Sequence, residues 1–221
     1  MSNETKGLIG ISIATLVLVV GAAFLFGGKS SPTAEVKAIK NTDALIRKDS
    51  HIIKATEKNS VTIVEFGDFQ CPACGVVNPV VNKLLQNYKG KITLIFREFP
   101  LPMHSNSQPA AQAAEAAGAQ GKFFEMHDLI YANQKEWSES KDPLPFFVSY
   151  AQQLHLDVAQ FKNDVTSKKY AQKIQKDIDD GFALNVNETP TFFINNVPQR
   201  GGLEYNDFKD KIDNALKNTS K

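Results

Sequence analysis

The chain has 221 residues, 42% of them apolar, enough for one mid-sized domain with a full hydrophobic core and additional segments. Its 25 Lys and Arg offset 24 Asp and Glu, a net charge of +1, which excludes the basic bias expected of a nucleic-acid-binding surface. Two cysteines are too few to staple a disulfide-rich scaffold, so stability must come from packing and the pair is free for chemistry. The first element in chain order is Leu8–Phe26, which carries no charge and is flanked by Lys6 and Lys29. A run of about 20 apolar residues crosses a bilayer, and a segment without a polar face is not a surface helix of a soluble domain. The run exceeds the roughly 7–15 residues of a signal-peptide core, and Phe24-Leu25-Phe26-Gly27-Gly28-Lys29 is a poor cleavage site. A retained anchor is therefore expected. Residues 1–28 would be a cytoplasmic tail and transmembrane helix, with the large C-terminal part outside the cytoplasm. Residues 29–43, with Ser30-Ser31-Pro32 and mixed charge, read as a linker, which leaves 44–221 as the folded domain.

Asp43–Lys54 is amphipathic, with Ile52-Ile53 a candidate edge strand and Lys58-Asn59-Ser60 a turn. Val61–Phe66 is the first clear strand. Its side chains alternate, so Val61, Ile63 and Glu65 share one face and Thr62, Val64 and Phe66 the other. Glu65 thus continues an apolar row. A helix should open at Cys71, with Pro72 in the favoured first turn. Val76/Val77, Val80/Val81, Leu84/Leu85 and Tyr88 recur at helical spacing; Pro79 should kink this helix and Gly90 end it. Lys91–Phe96 is a second strand, and the strand–helix–strand order predicts a parallel pair with a right-handed crossover. Helices are then expected over Gln108–Gln120, Lys122–Tyr131, Phe146–Leu154, Val158–Val165 behind an Asp157 N-cap, and Ser167–Leu184. The strand pattern returns at Thr191–Ile194, Asn195-Asn196 tolerates the positive φ of a hairpin turn, Val197–Arg200 is the return strand, and Tyr205–Leu216 is a closing helix.

The chemistry concentrates in Cys71-Pro72-Ala73-Cys74. A thiol at a helix start faces unsatisfied N–H groups and the positive end of the dipole, which favour the thiolate. Such positions bring a thiol from ~8.5 into the range of roughly 3.5–7.5. Cys71 is the candidate nucleophile and Cys74, one turn deeper, the resolving thiol. Glu65, on an apolar row close to both, is the candidate proton handler for Cys74. A zinc site would need a full tetrahedral ligand set; there is no second C-x-x-C, and His51, His104, His127 and His155 stand at no ligand spacing. Neither a metal nor an organic cofactor is expected.

Three segments carry a family resemblance. Phe66-Gly67-Asp68-Phe69-Gln70-Cys71-Pro72-Ala73-Cys74 resembles the active-site segment of the DsbA-like thiol:disulfide oxidoreductases. Arg97-Glu98-Phe99-Pro100-Leu101 resembles the segment that ends their second strand, and Thr189-Pro190-Thr191-Phe192-Phe193 resembles their cis-proline loop. The resemblance spans roughly Leu45 to Leu216. It implies an α/β thioredoxin fold, a central mixed sheet flanked by helices, with a helical subdomain inserted at about 105–185. It also implies a cis bond before Pro190, and a substrate-binding surface formed by Thr189, Pro190, Pro72 and Ala73 that pairs with an extended chain. The implied partners are reduced, unfolded proteins and a membrane reoxidase linked to quinone, of the DsbB or vitamin K epoxide reductase type; a monomer is expected. The implied activity is insertion of disulfides into secreted or surface proteins from the outer side of the cell membrane, where disulfides persist. Two residues depart from the pattern. Ala73 stands where strongly oxidising members often carry His, and Glu188 stands where Gly is frequent, an acid expected to disfavour a nearby thiolate. Both lean toward a reductase or isomerase of the same fold. A non-catalytic thiol- or metal-binding module is the alternative of a different class.

Overall fold

A computed structural model describes residues 38–39 and 42–219. Five strands form one sheet: β1 (His51–Ile53), β2 (Val61–Gly67), β3 (Ile92–Glu98), β4 (Thr191–Ile194) and β5 (Val197–Arg200). Their spatial order is β1-β3-β2-β4-β5. β2 and β3 run parallel, in register from Val61 opposite Ile92 to Gly67 opposite Glu98. All other pairs are antiparallel. The parallel pair is joined by α1 (Pro72–Asn87), which begins with proline in its first turn and runs on through Pro79. Gly90, at φ +81°, makes the left-handed turn back into β3.

Between β3 and β4 lie six helices: α2 (Ser107–Gly118), α3 (Phe123–Ala132), α4 (Gln134–Trp137), α5 (Leu144–Gln153), α6 (Val158–Thr166) and α7 (Ala171–Ala183). Asp157 caps α6 by accepting a hydrogen bond from the Gln160 N–H at 2.9 Å. α8 (Tyr205–Thr219) follows the β4–β5 hairpin. That hairpin turns on Asn195 and Asn196 at φ +44° and +67°, and the Asn195 amide oxygen accepts from the Thr62 N–H at 2.9 Å.

The core lies in two apolar clusters. On one face of the sheet, Val61, Ile63, Ile92 and Leu94 meet Val77, Val81 and Leu84 of α1 and Phe208 and Ile212 of α8. A larger cluster joins Val64, Phe66, Ile95 and Phe193 to the helices of the insertion. This is the thioredoxin-like α/β architecture, a mixed sheet flanked by helices.

Two readings of the sequence need correction. The helix expected from Ser167 begins only at Ala171, because Lys168 adopts φ +54° and the chain turns there. α4 was not foreseen; four residues are too few to show a period. The predicted anchor, Leu8–Phe26, lies outside the described residues. Among those that are described, no helix is long and apolar enough to cross a membrane.

Candidate active site

The loop from β2 into α1 sets the two thiols at different depths. Cys71 is the N-cap residue of α1, with extended backbone at φ −66°, ψ 121°, and is 7% exposed. Cys74, one turn on, is 0% exposed. Both thiols are free. The Cys71 thiol donates to the Thr189 carbonyl at 3.3 Å. Its pKa is lowered to about 5, chiefly by the hydrogen bond from the Cys74 thiol; burial opposes this, and Thr189 and the backbone N–H groups of Cys74 and Ala73 reinforce it. The Thr189 hydroxyl is buried and has no hydrogen-bond partner. Ala73 therefore contributes through its backbone what its methyl side chain cannot. Cys74 moves the other way. Burial first, then its bond to Cys71 and the charges of Glu65 and Cys71, push its thiol well above the ordinary value.

Side-chain amides and one buried carboxylate hold this loop. Asp68 accepts from the Gln70 N–H at 2.8 Å, the Leu101 N–H at 2.8 Å and the His104 ring at 2.6 Å. The Gln134 side chain donates to the carbonyls of Phe69 and Cys71 at 2.7 and 2.9 Å. Gln70 donates to the Ser138 carbonyl at 2.7 Å and accepts from the Asn106 N–H at 2.6 Å. The motif thus rests on residues of β3's exit loop and of α4, none of which carries a spacing signal in the sequence.

The other predicted site residues converge here. The Thr189–Pro190 bond is cis, and both residues are buried beside Cys71. Pro72 and Ala73 are exposed at the tip of α1. Glu65 is 2% exposed and does not reach solvent. Its Oε1 has no hydrogen-bond partner. Burial, with a smaller contribution from Asp128, raises its pKa to about 8. Glu188 differs from expectation: it is exposed, and it is not among the groups that chiefly set the Cys71 thiol. Asp68, Gln134 and Tyr131 were not singled out in the sequence; Tyr131 reads there only as part of an apolar helix.

The family model described as thioredoxin matches residues 49–214. A Bacillus cereus protein named "Probable disulfide bond formation protein D" is 33% identical over 228 residues, covering 98% of this chain and 99% of that one. The Na(+)/H(+) antiporter NhaA 1 of Salinispora arenicola is 32% identical over 227 residues, covering 98% of this chain and 34% of the antiporter. The chain thus spans about a third of the length of that relative. The crystal structure of a thioredoxin-like oxidoreductase from Silicibacter pomeroyi superposes with a TM-score of 0.67 at 26% identity, over 80% of this chain and 98% of that one. The chain belongs to the thioredoxin family and is similar over nearly its whole length to a protein named for disulfide bond formation.

Proposed function

We propose that this chain oxidises dithiols in unfolded proteins outside the cytoplasm, held to the membrane by Leu8–Phe26, with 29–43 as spacer and 44–221 as the working domain. The observation that carries the reading is the unequal ionisation of the two cysteines. A Cys71 thiolate is stable at neutral pH, which makes Cys71 a good leaving group and favours the reduced pair. A substrate thiolate attacks the Cys71 sulfur of the Cys71–Cys74 disulfide, and the bond breaks toward Cys74, which leaves as a thiolate and takes up a proton. A second substrate thiolate then attacks the substrate sulfur of the mixed disulfide and releases Cys71. Two electrons pass to the cysteine pair, and a quinone-linked membrane enzyme removes them. Glu65 hands the proton to and from Cys74. Thr189, Pro190, Pro72 and Ala73 form the surface along which the extended substrate lies; buried Thr189 offers its backbone, exposed Pro72 and Ala73 their apolar atoms. The chain acts as a monomer, without metal or organic cofactor.

The test is a redox titration of the chain against glutathione, combined with the pH dependence of Cys71 alkylation. Alkylation should follow a midpoint near 5, and the potential should lie well above thioredoxin's, about −270 mV. A potential at or near that value would assign the opposite direction, reduction or isomerisation of substrate disulfides. A binding module without turnover would keep its affinity for thiol partners in Cys71→Ala, and neither form would oxidise dithiols.

A further inference from the structure

While a substrate is joined to Cys71 it covers the tip of α1, yet Cys74 must still exchange a proton with water. Cys74 is sealed on its own helix, and the carboxylate beside it, Glu65, is sealed as well. A polar stripe leads away from both. Cys74, Asn78 and Asn82 recur every four residues along α1 and so lie on one face. The Asn78 and Asn82 side-chain amides donate to Asp128 at 3.4 and 3.2 Å, and the His127 ring approaches the same carboxylate at 3.0 Å. Asn78 is buried, between Val77 and Val81 of the apolar core, which costs free energy unless it is partnered.

Tyr131, one turn beyond Asp128 on α3, completes the stripe. Its hydroxyl is buried and has no hydrogen-bond partner. Gly67 makes room for the Phe96 ring and for that hydroxyl beside β2: a Cβ there would stand 2.6 Å from Phe96 Cε2 and 3.1 Å from the hydroxyl oxygen. Burial first, then the electrostatic influence of Cys74 and Glu65, oppose its ionisation. Gly75, Asn78, Asn82, Asp128 and Tyr131 line one surface cleft of about 590 Å³ between α1 and α3.

We propose that protons reach and leave Cys74 through this cleft, passing between Glu65 and solvent by way of the Tyr131 hydroxyl and the Asp128 carboxylate, behind the helix that presents Cys71. In the closing direction the Cys74 thiol gives its proton to the Glu65 carboxylate, and its thiolate attacks the Cys71 sulfur of the mixed disulfide and expels the partner thiolate. Glu65 Oε1 and the Tyr131 hydroxyl are both unpartnered, so the Glu65 carboxylic acid passes the proton through an intervening water to Tyr131, which at the same moment releases its own through water toward Asp128 and solvent. In the opening direction each transfer reverses. Tyr131 stays neutral throughout, since burial and the neighbouring acids oppose its ionisation. The titratable groups facing the route are Cys74 from α1, Glu98 from β3, Asp68 from the loop before α1, His127 from α3 and Lys83 at the rim of the cleft. The inference rests on the Cys71–Cys74 exchange proposed above.

The full chain is reduced and mixed with excess oxidised glutathione, and the rate of closure of the Cys71 mixed disulfide is followed from pH 5.5 to 9. Tyr131→Phe, which keeps the ring and its packing, should slow closure about tenfold below pH 8 and leave Cys71 alkylation unchanged. Asp128→Ala, on a half-exposed side chain, should slow closure severalfold and be restored by formate, a carboxylate small enough for the cleft. Closure within twofold of the parent in both variants overturns the route. So does a loss that is equal at every pH and untouched by formate, since that marks a packing defect. If the parent itself never closes the bridge, the exchange reading falls and takes the route with it.

Discussion

Cys71 and Cys74 are the same residue three positions apart, and position alone drives their thiols in opposite directions. One sulfur receives donors from a helix start and from its partner; the other is sealed beneath it, next to a carboxylate. Glu65 shows what that sealing does to an acid. Its folded pKa, about 8, stands above the ~4.3 of an exposed Glu. The folded state therefore holds a proton that the unfolded state has lost. The stability tied to that proton is fully present below about 4.3 and drains away as pH rises through 8. Glu65→Gln keeps the shape and removes the titration. The variant should match the parent near pH 4, gain on it steadily up to pH 8, and be more stable by about 5 kcal/mol above that. Urea denaturation at several pH values measures this. A stability difference that does not vary with pH would show that Glu65 ionises freely and would remove it from the thiol chemistry.

Close approach between α7 and the sheet depends on a missing side chain. At Gly181 a Cβ would collide with the Phe99 ring, with Cε2 and with Cδ2 at 2.6 Å, and would come within 3.2 Å of Phe66 Cδ1. Both rings are buried and packed edge-on, 6.1 Å between centroids. Gly181→Ala gains about 1 kcal/mol of helix propensity, while overpacking costs roughly 1–3 kcal/mol. Because Phe99 is sealed and has little room to yield, the cost should win, with a net loss of about 1–2 kcal/mol and a lowered urea midpoint. A variant as stable as the parent would mean the rings give way freely. The sequence showed the elements whose periods run long enough to read: β2, α1, the β4–β5 hairpin and the alternation that buries Glu65. It concealed what depends on tertiary contact. Gln134 holds the Cys71 carbonyl from a helix of four residues, and Tyr131 reads as one more apolar position until Gly67 is seen to make room for its hydroxyl.

The sheet, the insertion and the segment before β1 are joined by one buried cation. Arg97, in the motif that follows the family pattern, is 0% exposed. It donates from β3 to Asp177 at 2.9 Å and to Asp180, both on α7, and to the carbonyls of Ala44 and Leu45 at 2.7 and 2.9 Å. Its guanidinium also lies 5.4 Å from the centre of the Phe66 ring. Asp180 takes a second partner, Arg47; burial works against its ionisation, but the two arginines hold the carboxylate below the usual range. Asp177 accepts the Glu98 N–H at 3.1 Å as well. The sequence marked Arg97 by resemblance, but the role of the guanidinium is set by groups some 50 and 80 positions away in the chain. A buried pair is weak evidence of net stability, but removing one member leaves the other charged and unpaired, which costs about 3–5 kcal/mol. Arg97→Leu leaves Asp177 only the Glu98 N–H and Lys173, 3.7 Å away, and releases Ala44 and Leu45, while Asp180 keeps Arg47. The loss should fall at the low end of that range, read as a lower urea midpoint. Arg97 lies on the opposite face of the sheet from Glu65, by the alternation of β3 against β2, so the alkylation midpoint of Cys71 should stay near 5. A shift of that midpoint together with the stability loss would mean that this cation also orders the thiol loop, and that the clasp and the active site fold as one unit.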